Sequence, residues 1–187
     1  ITATSDSPED VNIEIEMLES DSIVVDIDGN VYETVQIGDQ VWMKENLKVT
    51  HYNNGDEIPT GYSNSEWGNL SSGAYAVYDD NESNADVYGY LYNWYVVETG
   101  ILAPAGWHVP TDEEWSTLTN YLGSDAGSQL AGMADLWNDG DLENNANFGT
   151  SGFTGLPGGY RYSNDGDYYA MGHNGSFWSS SESDNNF

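Results

Sequence analysis

The chain contains no cysteine. That excludes disulfides, thiolate metal sites and thiol nucleophiles. A chain of 187 residues is long enough to bury a core without covalent staples, so the absence is neutral on compartment. Basic residues are almost as scarce. Lys44, Lys48 and Arg161 stand against 32 acids, for a formal net charge of −29. Such a surface repels phosphate, so nucleic acid and anionic membranes are poor partners. No apolar run approaches the length of a membrane span. No signal peptide is visible, and the first residue is Ile1, as expected of a mature form after cleavage or of a trimmed chain. GxSxG, HExxH, GxGxxG and Walker motifs are also missing, so no common catalytic signature is on offer.

Aromatic residues are abundant, with 7 Trp, 14 Tyr and 4 Phe. That separates the chain from acidic disordered segments and predicts a folded core. Twenty-one glycines and many Asn, Asp and Ser residues point to long loops rather than a helical bundle.

Residues 1–21 read as an extended arm. Within it VNIEIEML alternates, with Val11, Ile13, Ile15 and Met17 on one face and Glu14 and Glu16 on the other. Ile23–Ile27 and Val31–Ile37 read as two strands around the turn Asp28-Gly29-Asn30, with QVWMKENL after the next turn. Tyr88–Glu98 is apolar on most sides and reads as a buried helix. A clearer helix follows Pro110: Thr111 and Glu114 form a capping box, Trp115, Leu118, Tyr121 and Leu122 recur at helical spacing, and Gly123 closes it. Gly152–Arg161 and Tyr168–Ser179 read as strands. Trp94, Trp107, Trp115 and Leu118 are expected to be buried together.

Five stretches, DIDGNVYETVQIGDQVWMKENLK, GYLYNWYVVETG, GWHVPTDEEWSTLTNYLG, GFTGLPGGYRY and FWSSSE, together resemble the Fibrobacter succinogenes major paralogous domain, in that family's order. GWHVPTDEEW is also similar to the helix start in formylglycine-generating sulfatase-modifying domains. The resemblance implies an α+β, C-type-lectin-like fold over residues 22–187, with two helices on a twisted antiparallel sheet. It implies further strands after FWSS, so a chain ending at Phe187 is expected either to be incomplete or to leave its sheet unclosed. Family members commonly carry Cys where this chain has Ala76 and Ala103, and the cysteine-dependent sulfatase-modifying activity is excluded.

Calcium is the one cofactor the residues suggest, because it takes six to eight hard oxygens. Three loops supply them: Asp79, Asp80, Asn81, Glu82 and Asp86; Asn138, Asp139, Asp141 and Glu143; and Asn164, Asp165 and Asp167. None has EF-hand spacing, and each also reads as a solvated turn. Trp67, Trp137 and Trp178 are candidates for a sugar-stacking platform, against burial as the ordinary fate of such rings. Asn69, Asn81 and Asn174 begin N-x-S sequons, and Asp21-Ser22-Ile23 is similar to a bacterial O-glycosylation pattern with Ser22 as acceptor. His108 beside Asp112, Glu113 and Glu114 is the only His-plus-acid neighbourhood, and it reads more simply as part of the helix cap.

An alternating arm and an unclosed sheet fit each other. The expectation is therefore a non-catalytic protein, secreted or at the cell surface, whose arm pairs with the next copy and builds a head-to-tail fibre. Two other readings remain open: the arm pairs with its own domain, or the chain is a monomeric glycan-binding module.

Overall fold

The computed structural model describes residues 23–182. The assembly residues Val11, Ile13, Ile15 and Met17 and the acceptor Ser22 lie outside them. Three small antiparallel ladders carry the architecture. β1 (Ile23–Val25), β2 (Val31–Ile37) and β3 (Gln40–Met43) form the first, with β2 in the middle. Val24 faces Tyr32, and Thr34 faces Met43. The predicted strand over 23–27 stops early because Asp26 turns its side chain back into the chain. Its carboxylate accepts from the amides of Asp28 and Asn30, from Asn30 Nδ2 and from the buried Tyr32 hydroxyl at 2.7 Å. Desolvation and that carboxylate raise the Tyr32 pKa.

A single helical turn, α1 (Asn64–Trp67), precedes the second ladder, β4 (Tyr75–Ala76) with β5 (Leu91–Tyr92). Between these strands lies α2 (Glu82–Tyr88). The expected helix over 88–98 is not continuous. Tyr88 ends α2, Gly89 takes φ 74°, β5 follows, and α3 (Trp94–Val97) is one turn. Two local features break it. A Cβ on Gly89 would sit 2.8 Å from the Leu47 carbonyl. Asn93 caps α3, its side chain accepting from the Val96 and Ala74 amides. An apolar run has no period of its own to separate a helix from strand plus turn.

The capped helix forms as predicted. α4 (Asp112–Leu122) starts at Thr111, whose hydroxyl accepts from the Glu114 amide, while Glu114 accepts from the Thr111 amide at 2.8 Å. Gly123 follows it at φ 80°. A short α5 (Ala126–Leu130) and a long loop lead to the third ladder, β6 (Gly158–Arg161) with β7 (Tyr168–Met171). Both are shorter than the sequence reading.

Three buried groups hold these pieces. Val49, Ile58, Tyr92, Val96, Val97 and Leu102 form one, with Trp94 packed against it. Ile37, Trp42, Leu118 and Phe153 form another, flanked by Trp115. Trp67, Ala74 and Ala76 form the third. The expected joint burial of Trp94, Trp107, Trp115 and Leu118 is therefore corrected. Leu118 is fully buried, but the three tryptophans are half-buried, and Trp94 and Trp115 belong to different groups. Trp178 connects those two groups. Its ring lies 6.0 Å from Trp94, its carbonyl accepts from Trp115 Nε1, and its own Nε1 donates to the Tyr92 carbonyl. The chain is thus α+β, with small antiparallel sheets and one helix of length.

Candidate functional site

A cleft of about 210 Å³ opens where the three ladders approach one another. Trp42 and Met43 of β3, Leu91 and Tyr92 of β5, and Gly158 and Gly159 of β6 all line it. Among the described residues no ladder continues into another there. Gly159 is required by this packing: its φ is 65°, and a Cβ would fall 2.3 Å from the Tyr169 carbonyl.

Aromatic rings form most of one wall. Trp42 lies 4.8 Å from Trp115 and 5.8 Å from Phe153, and Phe177 is 5.7 Å from Trp115. Phe177 and Trp178 line the cleft yet remain 41% and 43% exposed, which is high for rings of this size. Trp42 is 7% exposed, and among the described residues its buried indole N–H has no acceptor. A buried donor left unpaired costs about 1–3 kcal/mol. The cavity exceeds the ~150 Å³ that admits benzene and falls below the ~300 Å³ of ordinary small-ligand pockets. It suits one or two apolar side chains.

Polar groups sit among this lining. Lys44 pairs with Glu33 at 2.7 Å. His108 Nε2 meets Glu114 at 2.8 and 3.0 Å. The Thr111 amide outweighs desolvation and, helped by His108, holds the Glu114 carboxyl below its usual range. Glu114 thus serves the helix cap and His108 together, the structural role expected of this pair.

His51 forms a contact that sequence reading missed. Its Nδ1 lies 2.6 Å from Asp28 and 3.1 Å from the Thr50 hydroxyl, which itself donates to Asp28. In a catalytic triad the acid and the nucleophile use opposite ring nitrogens. Here both use Nδ1, so the cluster ties the β1–β2 turn to residues 50 and 51. Asp28 is raised by burial, but hydrogen bonds from Thr50 and His51 outweigh that and leave its pKa lowered.

The candidate calcium ligands separate. Asp79 and Asp80 adopt positive φ, and Asp80 accepts from the Tyr168 hydroxyl at 2.6 Å. Asn81 caps α2, with Glu82 in its first turn and Asp86 further along. Asn138 donates to His173 Nε2, and Glu143 accepts from the Gly140 amide. Asp139 and Asp141 are exposed loop residues beside them. Asn164 donates to the Tyr162 hydroxyl, and Asp165 accepts from the Asp167 amide within the β6–β7 turn. Asn64, Asp79, Asp80 and Asp167 border one shallow depression, joining two of the predicted loops. Among the described residues no three His, Asp or Glu side chains converge in a way that could hold a metal ion.

The tryptophan platform is corrected. Trp67 is 5% exposed beneath the Arg161 guanidinium, so its face is closed to a sugar. Trp137 is half-buried, with its Nε1 bound to the Gly132 carbonyl, and Trp178 belongs to the cleft. A different aromatic surface does form. Tyr160, Tyr162 and Tyr169 meet at 5.8–6.5 Å on the β6–β7 hairpin, each about 40% exposed. Alternation of tyrosines 160 and 162 across the turn from 169 was the available signal. Of the sequon asparagines, Asn69 donates to the Ser65 carbonyl, Asn81 is the helix cap, and all three, including Asn174, are exposed.

Compared with known proteins, residues 35–187 match the family model described as the Fibrobacter succinogenes major domain. No curated protein and no solved structure matches the chain.

Proposed function

The chain belongs to the Fibrobacter succinogenes major domain family, and from that premise we propose that it is a non-catalytic extracellular structural or adhesive protein with a C-type-lectin-like fold. In this reading copies assemble head-to-tail, the N-terminal arm of one adding a strand to the next. One observation supports it most. The outer face of the first sheet carries Ile23, Val25 and Val31, each more than half exposed, with Val25 directly opposite Val31. An apolar sheet face open to water is a surface for association, and β1 follows the arm directly in sequence. Strand addition would satisfy backbone groups along the added strand at the sheet edge, and packing of the neighbouring copy against this face would cover its apolar side chains.

Assembly must overcome repulsion between copies that each carry a net charge of −29. It should therefore strengthen with salt, whose screening length is ~10 Å at 0.1 M and ~3 Å at 1 M. Electron microscopy and sedimentation of the full chain across 0.02–1 M NaCl (roughly the range over which that screening acts) test the reading. Filaments that grow with salt support it. A chain that stays monomeric throughout removes it.

A second reading, a lectin-like monomer, rests on the Tyr160, Tyr162 and Tyr169 surface. Exposed rings offer stacking faces, and Asp165, which accepts from the Tyr169 hydroxyl, supplies a polar edge. Glycan arrays on monomeric protein, repeated with Tyr169→Ala, decide it: binding lost in the variant favours the lectin.

A further inference from the structure

We propose that Tyr160 and Tyr169 are an oxidative cross-linking pair, joined ring to ring as dityrosine by a one-electron oxidant of the haem-peroxidase class with hydrogen peroxide, and that Asp165 receives the Tyr169 phenolic proton. This is a covalent modification within one chain, and it stands whether or not copies assemble.

Exposure and pairing select these two rings. Among 14 tyrosines, the exposed ones are Tyr121, Tyr160, Tyr162 and Tyr169. Tyr121 packs over Gly38, far in sequence from the other three, which meet on one hairpin. Tyr160 and Tyr169 are direct partners across the β6–β7 ladder, with ring centres 5.8 Å apart and planes tilted by 31°. Tyr162 stands at 75° and 84° to them. A ring-to-ring bond joins two ring edges, whereas a near-perpendicular pair sets an edge against a face. The directly opposed pair is therefore the one that couples. Tyr75 and Tyr90 at 4.6 Å, and Tyr78 and Tyr168 at 5.2 Å, lie closer, but all four are half-buried, away from a protein-sized oxidant. Tyr168 also has the Arg161 guanidinium 4.7 Å from its ring centre, and that positive charge opposes removal of an electron.

Asp165 supplies the proton acceptor. Oxidation of a neutral phenol expels its proton, so a base already in hydrogen-bond contact lets electron and proton leave together. The Tyr169 hydroxyl donates to Asp165 Oδ2 at 3.0 Å, and Asp165 Oδ1 accepts from the Asp167 amide at 3.0 Å, which fixes the carboxylate in the turn. The bond to Asp165 raises the Tyr169 pKa, so the phenol is neutral at ordinary pH. Tyr162, by contrast, accepts from Asn164 Nδ2. The chain has no cysteine, and so no thiol to take the oxidising equivalents first.

The step balances. Each ring gives up one electron and its phenolic proton, that of Tyr169 to Asp165 and that of Tyr160 to water. The two radicals pair in one C–C bond between ring carbons adjacent to the hydroxyl-bearing carbons. The hydrogen on each bonded carbon moves to the phenol oxygen and restores both hydroxyls and both aromatic rings. The chain loses two hydrogen atoms in total, and one peroxide takes up the two electrons and two protons as two waters. The product ties β6 to β7 covalently in a chain that cannot form a disulfide.

The full chain at low concentration is treated with haem peroxidase and hydrogen peroxide, then unfolded and digested with trypsin. Arg161 lies between the two tyrosines and is the only base after Lys48, so digestion of the parent separates residues 49–161 from 162–187. The expected product is a monomer with dityrosine fluorescence in which those fragments stay joined, two hydrogen atoms lighter than their sum. Tyr160→Phe and Tyr169→Phe, which keep the rings and are checked by circular dichroism, should abolish the joined product, and Tyr162→Phe should retain it. Dityrosine fluorescence with the fragments separated, a cross-link only between copies, or a joined product that persists in Tyr169→Phe overturns the pair. Asp165→Asn still accepts the Asp167 amide but cannot take the proton, and should slow bond formation by at least about tenfold, with Asp165→Glu restoring it. An Asp165→Asn rate equal to the parent's overturns the role of Asp165.

Discussion

The Arg161 guanidinium lies 4.5 Å from the centre of the Trp67 ring and closes that ring off from solvent. The same group stands 4.7 Å from Tyr168 and donates to the carbonyls of Gly166 and Tyr62 and to Asn64 Oδ1. One of only three bases in an acidic chain is thus 8% exposed, between two aromatic faces and three oxygen acceptors. It joins the β6–β7 hairpin to α1.

Arg161→Lys should therefore be a damaging exchange. An ammonium lacks the planar fork that serves several acceptors and stacks on rings. At least one buried acceptor loses its partner, at about 1–3 kcal/mol. Urea unfolding should show a lower midpoint with unchanged slope. A midpoint equal to that of the parent chain would mean that the hairpin is held by other contacts.

Leu118→Ala tests the register of α4. The residue is fully buried against Ile37, Trp42 and Phe153. Truncation should cost about 2–5 kcal/mol. Tyr121→Ala, one turn further along α4 and 67% exposed, serves as comparison and should change the midpoint far less. Equal effects at the two positions would contradict the burial assigned to Leu118.

Glu114 predicts a pH signature. Its folded pKa is lowered from the usual carboxylate value, so its contribution is fully present above the unfolded pKa, about 4.3. It is lost as pH falls through the lower folded value. Glu114→Gln keeps a neutral capping group but loses the His108 pair. The stability gap between parent and variant should be open at neutral pH and close as pH drops below about 4. Comparison within one pair cancels the general relief of repulsion that acid brings to so acidic a chain. A gap constant from pH 7 to 3 (roughly one unit below the ordinary Glu value) would show that ionised Glu114 is not what stabilises the cap.

Calcium and magnesium should act alike. With the described acids dispersed rather than clustered, divalent cations are expected to stabilise by screening, without a saturable site. Thermal melts with each cation at matched ionic strength check this. A larger, saturating rise with calcium alone would instead establish an ordered site, with Asp79–Asp86 the first place to locate it by Asp80→Asn.

Elements with a period or a chemical boundary were legible in the sequence. The capping box around Thr111 and Glu114 set the start of α4, because cap and helix face are neighbours in the chain. The Asp28-Gly29-Asn30 turn marked the first hairpin for the same reason. Tyr88–Glu98 was misread because its apolar run satisfies several local structures equally. Gly89 and Asn93 break it through a close approach to Leu47 and caps that reach Ala74, both distant in sequence. The candidate site was mostly illegible for a related reason. Trp42, Phe153 and Trp178 are more than a hundred residues apart at the extremes, and nothing local says that they share a cleft. Composition likewise marked Trp67 as a ring available to sugar, and only the fold placed the rare Arg161 over it. The sequence by itself determined the family, the acidic surface, the absence of thiol chemistry and the alternating face of Val11–Leu18, because each depends on residue type or near-neighbour spacing. The tertiary structure alone decided which aromatics are closed, which remain open and where three short ladders leave a gap, because those depend on contacts between segments that the chain brings together only on folding.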